Sequence, residues 1–270
     1  MSVLAWILIF SLVGGVLSVL AASVFLLIPN KKRTKLLPHM VSFAIGALLG
    51  AAFLGLLPHA LLSPHAEDLH DITLTVLVGI LVFFLLEKLV LWRHCHSFEC
   101  EVHGADELDN ENHHHSRADD KAAPAGSLVL IGDGVHNFVD GVLIAAAFLT
   151  DIYLGIVTAL AVAAHEIPQE LGDFAILLQS GYSRTKALVF NLLISLTTVI
   201  GAVVAYVSLS SAQALLPYVL AIAASSFIYV AVADLIPGLH KRVAPKESLQ
   251  QISLITLGVV VIYIAHSTLH

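Results

Sequence analysis

Charge is scarce in this sequence. Asp, Glu, Lys and Arg make up 12% of its 270 residues, where a water-soluble domain carries about a quarter. Two cysteines are too few for a disulfide framework. No basic stretch interleaved with aromatics is present, which excludes the usual nucleic-acid interface. The formal net charge of −7 does not alter that reading. There is no Walker-type phosphate loop, so the chain does not drive a pump with ATP by itself. What remains is apolar: 58% hydrophobic residues and a mean hydropathy of +0.90. The apolar runs recur at near the ~20 residues that cross a bilayer. The fold class is therefore an all-α, polytopic membrane protein.

Eight transmembrane helices are predicted, over 3–28, 38–58, 72–92, 127–148, 153–179, 186–209, 216–237 and 249–268. The first apolar run is too long for a signal-peptide core and lacks a basic leader, so it reads as a retained span. All thirteen Lys and Arg fall in or beside alternate connectors. Lys31, Lys32, Arg33 and Lys35 lie in the first. Arg93, Arg117 and Lys121 lie in the third, with Lys88 at its start. Arg184 and Lys186 lie in the fifth, and Lys241, Arg242 and Lys246 in the seventh. By the positive-inside rule these connectors face the cytoplasm and both termini face the other side.

The third connector, residues 93–126, is polar, acidic and rich in histidine, a composition that predicts disorder. It divides the chain into helices 1–3 over residues 1–92, helices 4–5 over 127–179 and helices 6–8 over 180–270. This 3+2+3 order suits an inverted repeat around a central pair. No convincing sequence identity between the flanking groups supports it.

Helices 4 and 5 carry the unusual chemistry. At ~100° per residue, with His136 at 0°, Asp140 falls at about 40°, Asp133 at about 60° and Asn137 at about 100°. On helix 5, with His165 at 0°, Gln169 falls at about 40°, Asp173 at about 80°, Glu166 at about 100° and Glu170 at about 140°. A very short turn joins the two helices, so they run antiparallel. At ~1.5 Å per residue both histidine clusters lie roughly 14–24 Å below that turn, near mid-bilayer.

Five carboxylates thus share two spans with no Lys or Arg inside any span. A charge at mid-membrane costs at least ~2.5–3.5 kcal/mol. Asp133, Asp140, Glu166, Glu170 and Asp173 must be protonated, hydrated or neutralised by a cation. The two histidines point to a transition metal, because imidazole suits zinc, iron or copper better than magnesium or calcium. Pro168 cannot donate to the carbonyl of Ala164 and predicts a bend within the cluster. An isolated polar group in a span is as readily a helix–helix hydrogen-bond partner. Nine aligned on two facing helices favour a site. Asp133 and Asp173 lie nearer the cytoplasmic end and read as pathway or packing groups. Asp234 lies near a helix end and is a weaker candidate. Glu87 beside Lys88 reads as an interfacial pair.

At "HNFVDG" and "HEIPQELGDFAILLQSG" the sequence resembles the ZIP (Zrt/Irt-like, zinc–iron permease) family, closest to the subfamily with HExPHExGD on its fifth helix. The resemblance covers essentially the whole chain. It implies a binuclear metal site between helices 4 and 5, movement of metal into the cytoplasm, and sliding of a transport bundle against a scaffold bundle. His136, Asn137 and Asp140 fall on the family's helix-4 ligands, and His165, Glu166 and Gln169 on its helix-5 ligands. Glu170 matches the extra acidic residue of the subfamily. Gln169 is the departure, standing where the subfamily has His. "LGAAFLGLLPHAL" at the end of helix 2 lacks the Asp and His often seen there. The implied cargo is zinc, with iron, manganese and cadmium as further possibilities, and no prosthetic group or catalytic residue is expected.

His94, Cys95, His96, Cys100 and His103, with His113, His114 and His115, could capture metal on the cytoplasmic side. There is no repeated CxxC framework to fold a zinc module, and a plain solvated segment is the alternative. An intramembrane zinc peptidase is a competing function, since "HEIPQ" is one residue from HExxH. That motif needs its second His where Gln169 stands. A metal-responsive receptor without transport is the other. The expected partners are divalent metal ions and the lipid bilayer, with no nucleic acid. The oligomeric state is open, a homodimer included. The expected location is a multi-pass position in a cell membrane, the bacterial inner membrane favoured over an organelle membrane.

Overall fold

A computed structural model describes residues 1–66, 68–95, 119–240 and 244–269. Among these residues all regular structure is helical. Eight helices are long and apolar enough to cross a membrane: α1 (Val3–Phe25), α2 (Lys32–Leu61), α3 (Leu69–Leu89), α4 (Val129–Thr150), α5 (Ile152–Gln179), α6 (Arg184–Leu209), α7 (Gln213–His240) and α8 (Pro245–Thr268). The eight-span expectation holds.

Local chemistry sets the helix ends. The Asp151 side chain accepts from the Leu154 backbone N–H at 2.9 Å, so a single residue turns α4 into α5. Gly181, at φ 85°, ends α5. Tyr182 N–H donates to the Leu177 carbonyl and Gly181 N–H to the Leu178 carbonyl, both at 3.1 Å, which closes a Schellman turn. Ser183 then caps α6 by accepting from Lys186 N–H at 3.3 Å.

Two expectations need correction. Disorder over 93–126 was too wide, because helix continues from α3 to Cys95 and resumes at Asp119 ahead of α4. Extending an existing helix fixes one residue per hydrogen bond, so helix runs past the apolar core at little cost. His96, Cys100, His103, His113, His114 and His115 lie outside the described residues, as do the side chains of His94 and Cys95. Second, Glu87 does not pair with Lys88. Its carboxylate accepts from the Tyr229 hydroxyl of α7, and the Lys88 ammonium sits 5.7 Å from the centre of the Phe84 ring. Adjacent residues on a helix point about 100° apart, which favours the cross-helix partner. α5 is α-helical on both sides of Pro168.

Spatial packing regroups the helices. α4 packs most extensively on α6, and α2 on α8. α1 joins α4, α5 and α6, while α3 packs on α7 beside α2 and α8. Both principal crossings use reciprocal glycines. A Cβ at Gly141 would strike the Thr198 carbonyl, and one at Gly201 the Phe138 carbonyl. A Cβ at Gly46 would strike the Ile255 carbonyl, and one at Gly258 the Phe43 carbonyl. In each pair the glycine meets the residue three before its partner glycine. Close backbone approach through small residues is a main source of helix association in lipid.

The flanking groups also share a backbone irregularity that sequence identity does not reveal. α2 contains a π-helical segment at Ala51–Leu56 and α7 one at Val230–Leu235. Leu56, Leu57 and Pro58 follow the first register as Leu235, Ile236 and Pro237 follow the second. Each proline deprives the carbonyl four residues earlier of its donor, and a widened turn redistributes those bonds.

Candidate metal centre

His136 and Asp140 lie on one face of α4, one turn apart. His165 and Glu166 lie on α5 opposite them. Their ligand atoms all fall within 4.8 Å of one another. His136 Nε2 is 3.3 Å from His165 Nε2, 3.7 Å from Asp140 Oδ2 and 3.4 Å from Glu166 Oε1. His165 Nε2 is 3.2 Å from Asp140 Oδ2 and 3.9 Å from Glu166 Oε1. Zinc holds nitrogen and oxygen at about 2.0–2.2 Å in tetrahedral sites, which places neighbouring ligands about 3.3–3.6 Å apart. The observed spacings bracket that edge.

The protonation pattern suits a cation. His165 Nδ1 lies 3.1 Å from the Ala161 carbonyl. A carbonyl only accepts, so Nδ1 carries the proton and Nε2 presents its lone pair to the cluster. The backbone thereby sets both tautomer and ring orientation, as for a metal ligand. Asp140 Oδ2 and both Glu166 carboxylate oxygens are buried with no hydrogen-bond donor among the described residues. Lone pairs that converge in a buried space repel unless a proton or metal stands between them.

Polarity is asymmetric about the cluster. Toward the α4–α5 turn, Leu143, Ala147, Val157 and Ala161 are closed in, with Leu56 of α2 and Leu220 of α7 at the same end. Toward the α5–α6 connector the residues are polar: Asp133, Glu170 and Asp173. His136 keeps 23% of its side-chain area exposed, whereas the other three ligands keep 1% each. The Phe227 ring of α7 meets the His165 ring at 6.2 Å and 63°. The cluster thus lies where the α4–α5–α6 group meets a helix of the second group.

The other sequence candidates divide. Asn137 is fully buried but turned to α6: its amide donates to Asp133 Oδ1 at 2.8 Å and accepts from Thr198 Oγ1 at 2.8 Å. Glu170 Oε2 accepts from Asn191 of α6 at 2.8 Å, while its Oε1 is buried without a donor among the described residues. Gln169 and Asp173 are half-buried, and Asp173 is outside the four-residue cluster. Asp234 is exposed on the π segment of α7. His266 packs its ring against His59 of α2 at 5.5 Å, away from the cluster.

Sequence reasoning missed the α6 contribution. Asn191, Ser195 and Thr198 recur at i, i+4 and i+7, and all three are buried. That spacing on an otherwise apolar helix was the available signal.

A match to the family described as "ZIP Zinc transporter" extends over residues 3–266. Zinc transporter ZIP13 of Pongo abelii is 33% identical over 83% of this chain and 65% of its own length. Zinc transporter ZIP13 of Homo sapiens is 32% identical over 83% of this chain and 69% of its own. The Zinc transporter ZIP13 homolog of Drosophila melanogaster is 29% identical over 93% and 86%. The chain thus spans about two thirds of the length of the first two relatives.

Proposed function

The chain belongs to the ZIP zinc transporter family, and from that premise we propose that it carries divalent transition metal, zinc foremost, across the membrane through the site between α4 and α5. The observation that carries the proposal is the convergence of two imidazole nitrogens and two donorless carboxylates within 4.8 Å, deep in a membrane span. His136, Asp140, His165 and Glu166 hold the cargo. Two neutral imidazoles and two carboxylates cancel a divalent charge, so the loaded site is neutral in a medium that penalises charge.

Direction follows from the one-sided polarity. Asp133, Glu170 and Asp173 extend the acidic path toward the end carrying Arg184 and Lys186, which the positive-inside rule assigns to the cytoplasm. Metal released from the cluster moves that way, and both termini then face the opposite side. Glu170, Asn137 and Gln169 are reserve ligands, engaged when Asn191 or Thr198 lets go or when α5 shifts. The sorting of the helices into two groups favours movement of one group against the other as the exchange step.

A peptidase reading loses ground because α4, not α5, supplies the third and fourth ligands, and Gln169 stands where that motif needs its second His. Iron, manganese and cadmium stand as competing cargoes, and residues 94–115 as a capture segment on the receiving side. The compared relatives are animal proteins and lend no support to the bacterial inner membrane as host; fractionation of the native membrane decides between cell surface and organelle.

The test is radiometal uptake by the purified chain in proteoliposomes, with zinc, iron, manganese and cadmium in competition. Saturable zinc uptake is expected. Zinc binding without uptake would support the receptor reading instead.

A further inference from the structure

Below the glycine crossing of α2 and α8 the two helices part around a cavity of about 250 Å³. Its walls are one face of each helix. Lys35, Pro38, His39 and Ser42 line it from α2, and Glu247, Gln250, Gln251 and Leu254 from α8. Both sets follow i, i+3, i+4, i+7, the spacing of a single helical face. In a membrane helix such a face is normally apolar or made of small residues. Here six of the eight residues are polar or charged.

The cavity lies far from the metal centre and shares no residue with it. Its charges are separated, with Lys35 on one wall and Glu247 on the other. Neither forms an ion pair with any described residue within 4.0 Å. His39 Nδ1 lies 2.6 Å from the Lys35 carbonyl, so Nδ1–H donates to that carbonyl and Nε2 faces away from the backbone. Ser42 Oγ donates to the Pro38 carbonyl at 2.7 Å. The cavity opens at the end of α2 that carries Lys32, Arg33 and Lys35, the level of cytoplasmic lipid headgroups. Leu36, next to Lys35 in the chain and about 100° around the helix from it, is exposed at the rim, where an acyl chain would lie.

The shape and the charge order select a ligand. The volume is below the ~300–1,000 Å³ of pockets that enclose drug-sized molecules. A cation and an anion on opposite walls match a zwitterion. Lys35 suits a phosphate, and Glu247 suits a group with N–H donors. We infer that the α2–α8 cavity binds the headgroup of an ethanolamine phospholipid, with phosphate at Lys35 and ammonium at Glu247. Choline carries the same charges but offers no N–H, so it forgoes the hydrogen bonds to Glu247. A purely anionic headgroup meets Glu247 with repulsion. Binding there braces the cytoplasmic ends of α2 and α8 where glycine packing no longer holds them together.

Native mass spectrometry of the delipidated full chain, titrated separately with ethanolamine, choline and glycerol phospholipids of matched acyl chains, tests this. Ethanolamine lipid should bind about tenfold more tightly than choline lipid, the scale of one or two hydrogen bonds to a charged group. Glu247→Gln should erase that preference, and Lys35→Ala should weaken both lipids, with Lys35→Arg restoring them. Thermal melting in detergent shows whether each variant is folded, and Lys35→Gln and Glu247→Ala replace Lys35→Ala and Glu247→Gln where either is not. Soluble phosphoethanolamine should compete only weakly. Equal affinity for all three lipids, or a preference untouched by Glu247→Gln and Glu247→Ala, overturns the inference. Tightest binding of the glycerol lipid reassigns the site to anionic headgroups. Full competition by soluble phosphoethanolamine removes the lipid from it.

Discussion

Nε2 of His165 and Oδ2 of Asp140 lie 3.2 Å apart across the α4–α5 interface, and neither atom supplies the other with a proton. The proton of His165 is committed at Nδ1 to the Ala161 carbonyl. Two lone pairs therefore face each other in a buried space, which is stable only once the pair takes up a proton or a shared cation.

Removing either anion should disable the site without unfolding the chain. Asp140→Asn and Glu166→Gln keep side-chain volume and delete one charge. Breaking one partner of a buried charge set costs about 3–5 kcal/mol, so zinc affinity should fall by at least about a hundredfold. Isothermal titration of the purified variants, with circular dichroism as the fold control, measures this. Wild-type zinc affinity in both would place the cargo elsewhere.

Zinc binding should release protons. At lower pH the imidazoles and carboxylates of the site are taken by protons, which metal must displace. Apparent zinc affinity should therefore fall as pH falls. Calorimetry in buffers of different ionisation enthalpy should give different observed heats. A heat independent of the buffer would mean that the ligands are already deprotonated and hydrated in the empty site.

Gln169→His should favour zinc over manganese. Position 169 is one helical turn from His165, and imidazole nitrogen suits zinc better than an amide oxygen does. The expected result is a lower apparent zinc constant, with a maximal rate unchanged or reduced because a tighter ion leaves more slowly. Competitive uptake at matched protein levels reads it. Unchanged constants for both metals would show that residue 169 does not reach the ion.

Asn191→Leu should harm the site from a helix that holds none of the four ligands. It strips Glu170 of its donor at 2.8 Å, leaving a buried carboxylate at a cost of about 1–3 kcal/mol or more. Pairing it with Glu170→Leu should recover much of the stability. Melting temperatures of the two single variants and the double variant give the coupling; simple additivity would dismiss the contact.

The glycine crossings should behave unequally. Gly141→Ala and Gly201→Ala press a methyl against backbone and should destabilise the α4–α6 pair. Gly132→Ala on the same helix meets nothing within 4 Å and should be neutral, or stabilising by about 0.5–1 kcal/mol. Thermal unfolding in detergent separates them. Equal melting temperatures for all three would remove the close approach.

Span number and apolar length were legible in the sequence, because each depends only on residues close together in the chain. Helical periodicity also put His136 with Asp140 and identified the rich face of α5. It could not say how each group on that face is spent. Asn137 and Glu166 stand at the same angle, about 100° from their neighbouring histidines, yet Glu166 enters the cluster and Asn137 turns to Thr198. An angle about one helix axis does not specify which neighbour lies on that side. That was decided by the glycine-mediated approach of α6 to α4 and by Phe227 of α7 closing over His165. The π segments of α2 and α7 belong to the same class, since a proline frees a carbonyl locally but tertiary packing determines how the freed group is accommodated. Pro58 and Pro237 follow widened turns, whereas Pro168 lies within a continuous α-helix.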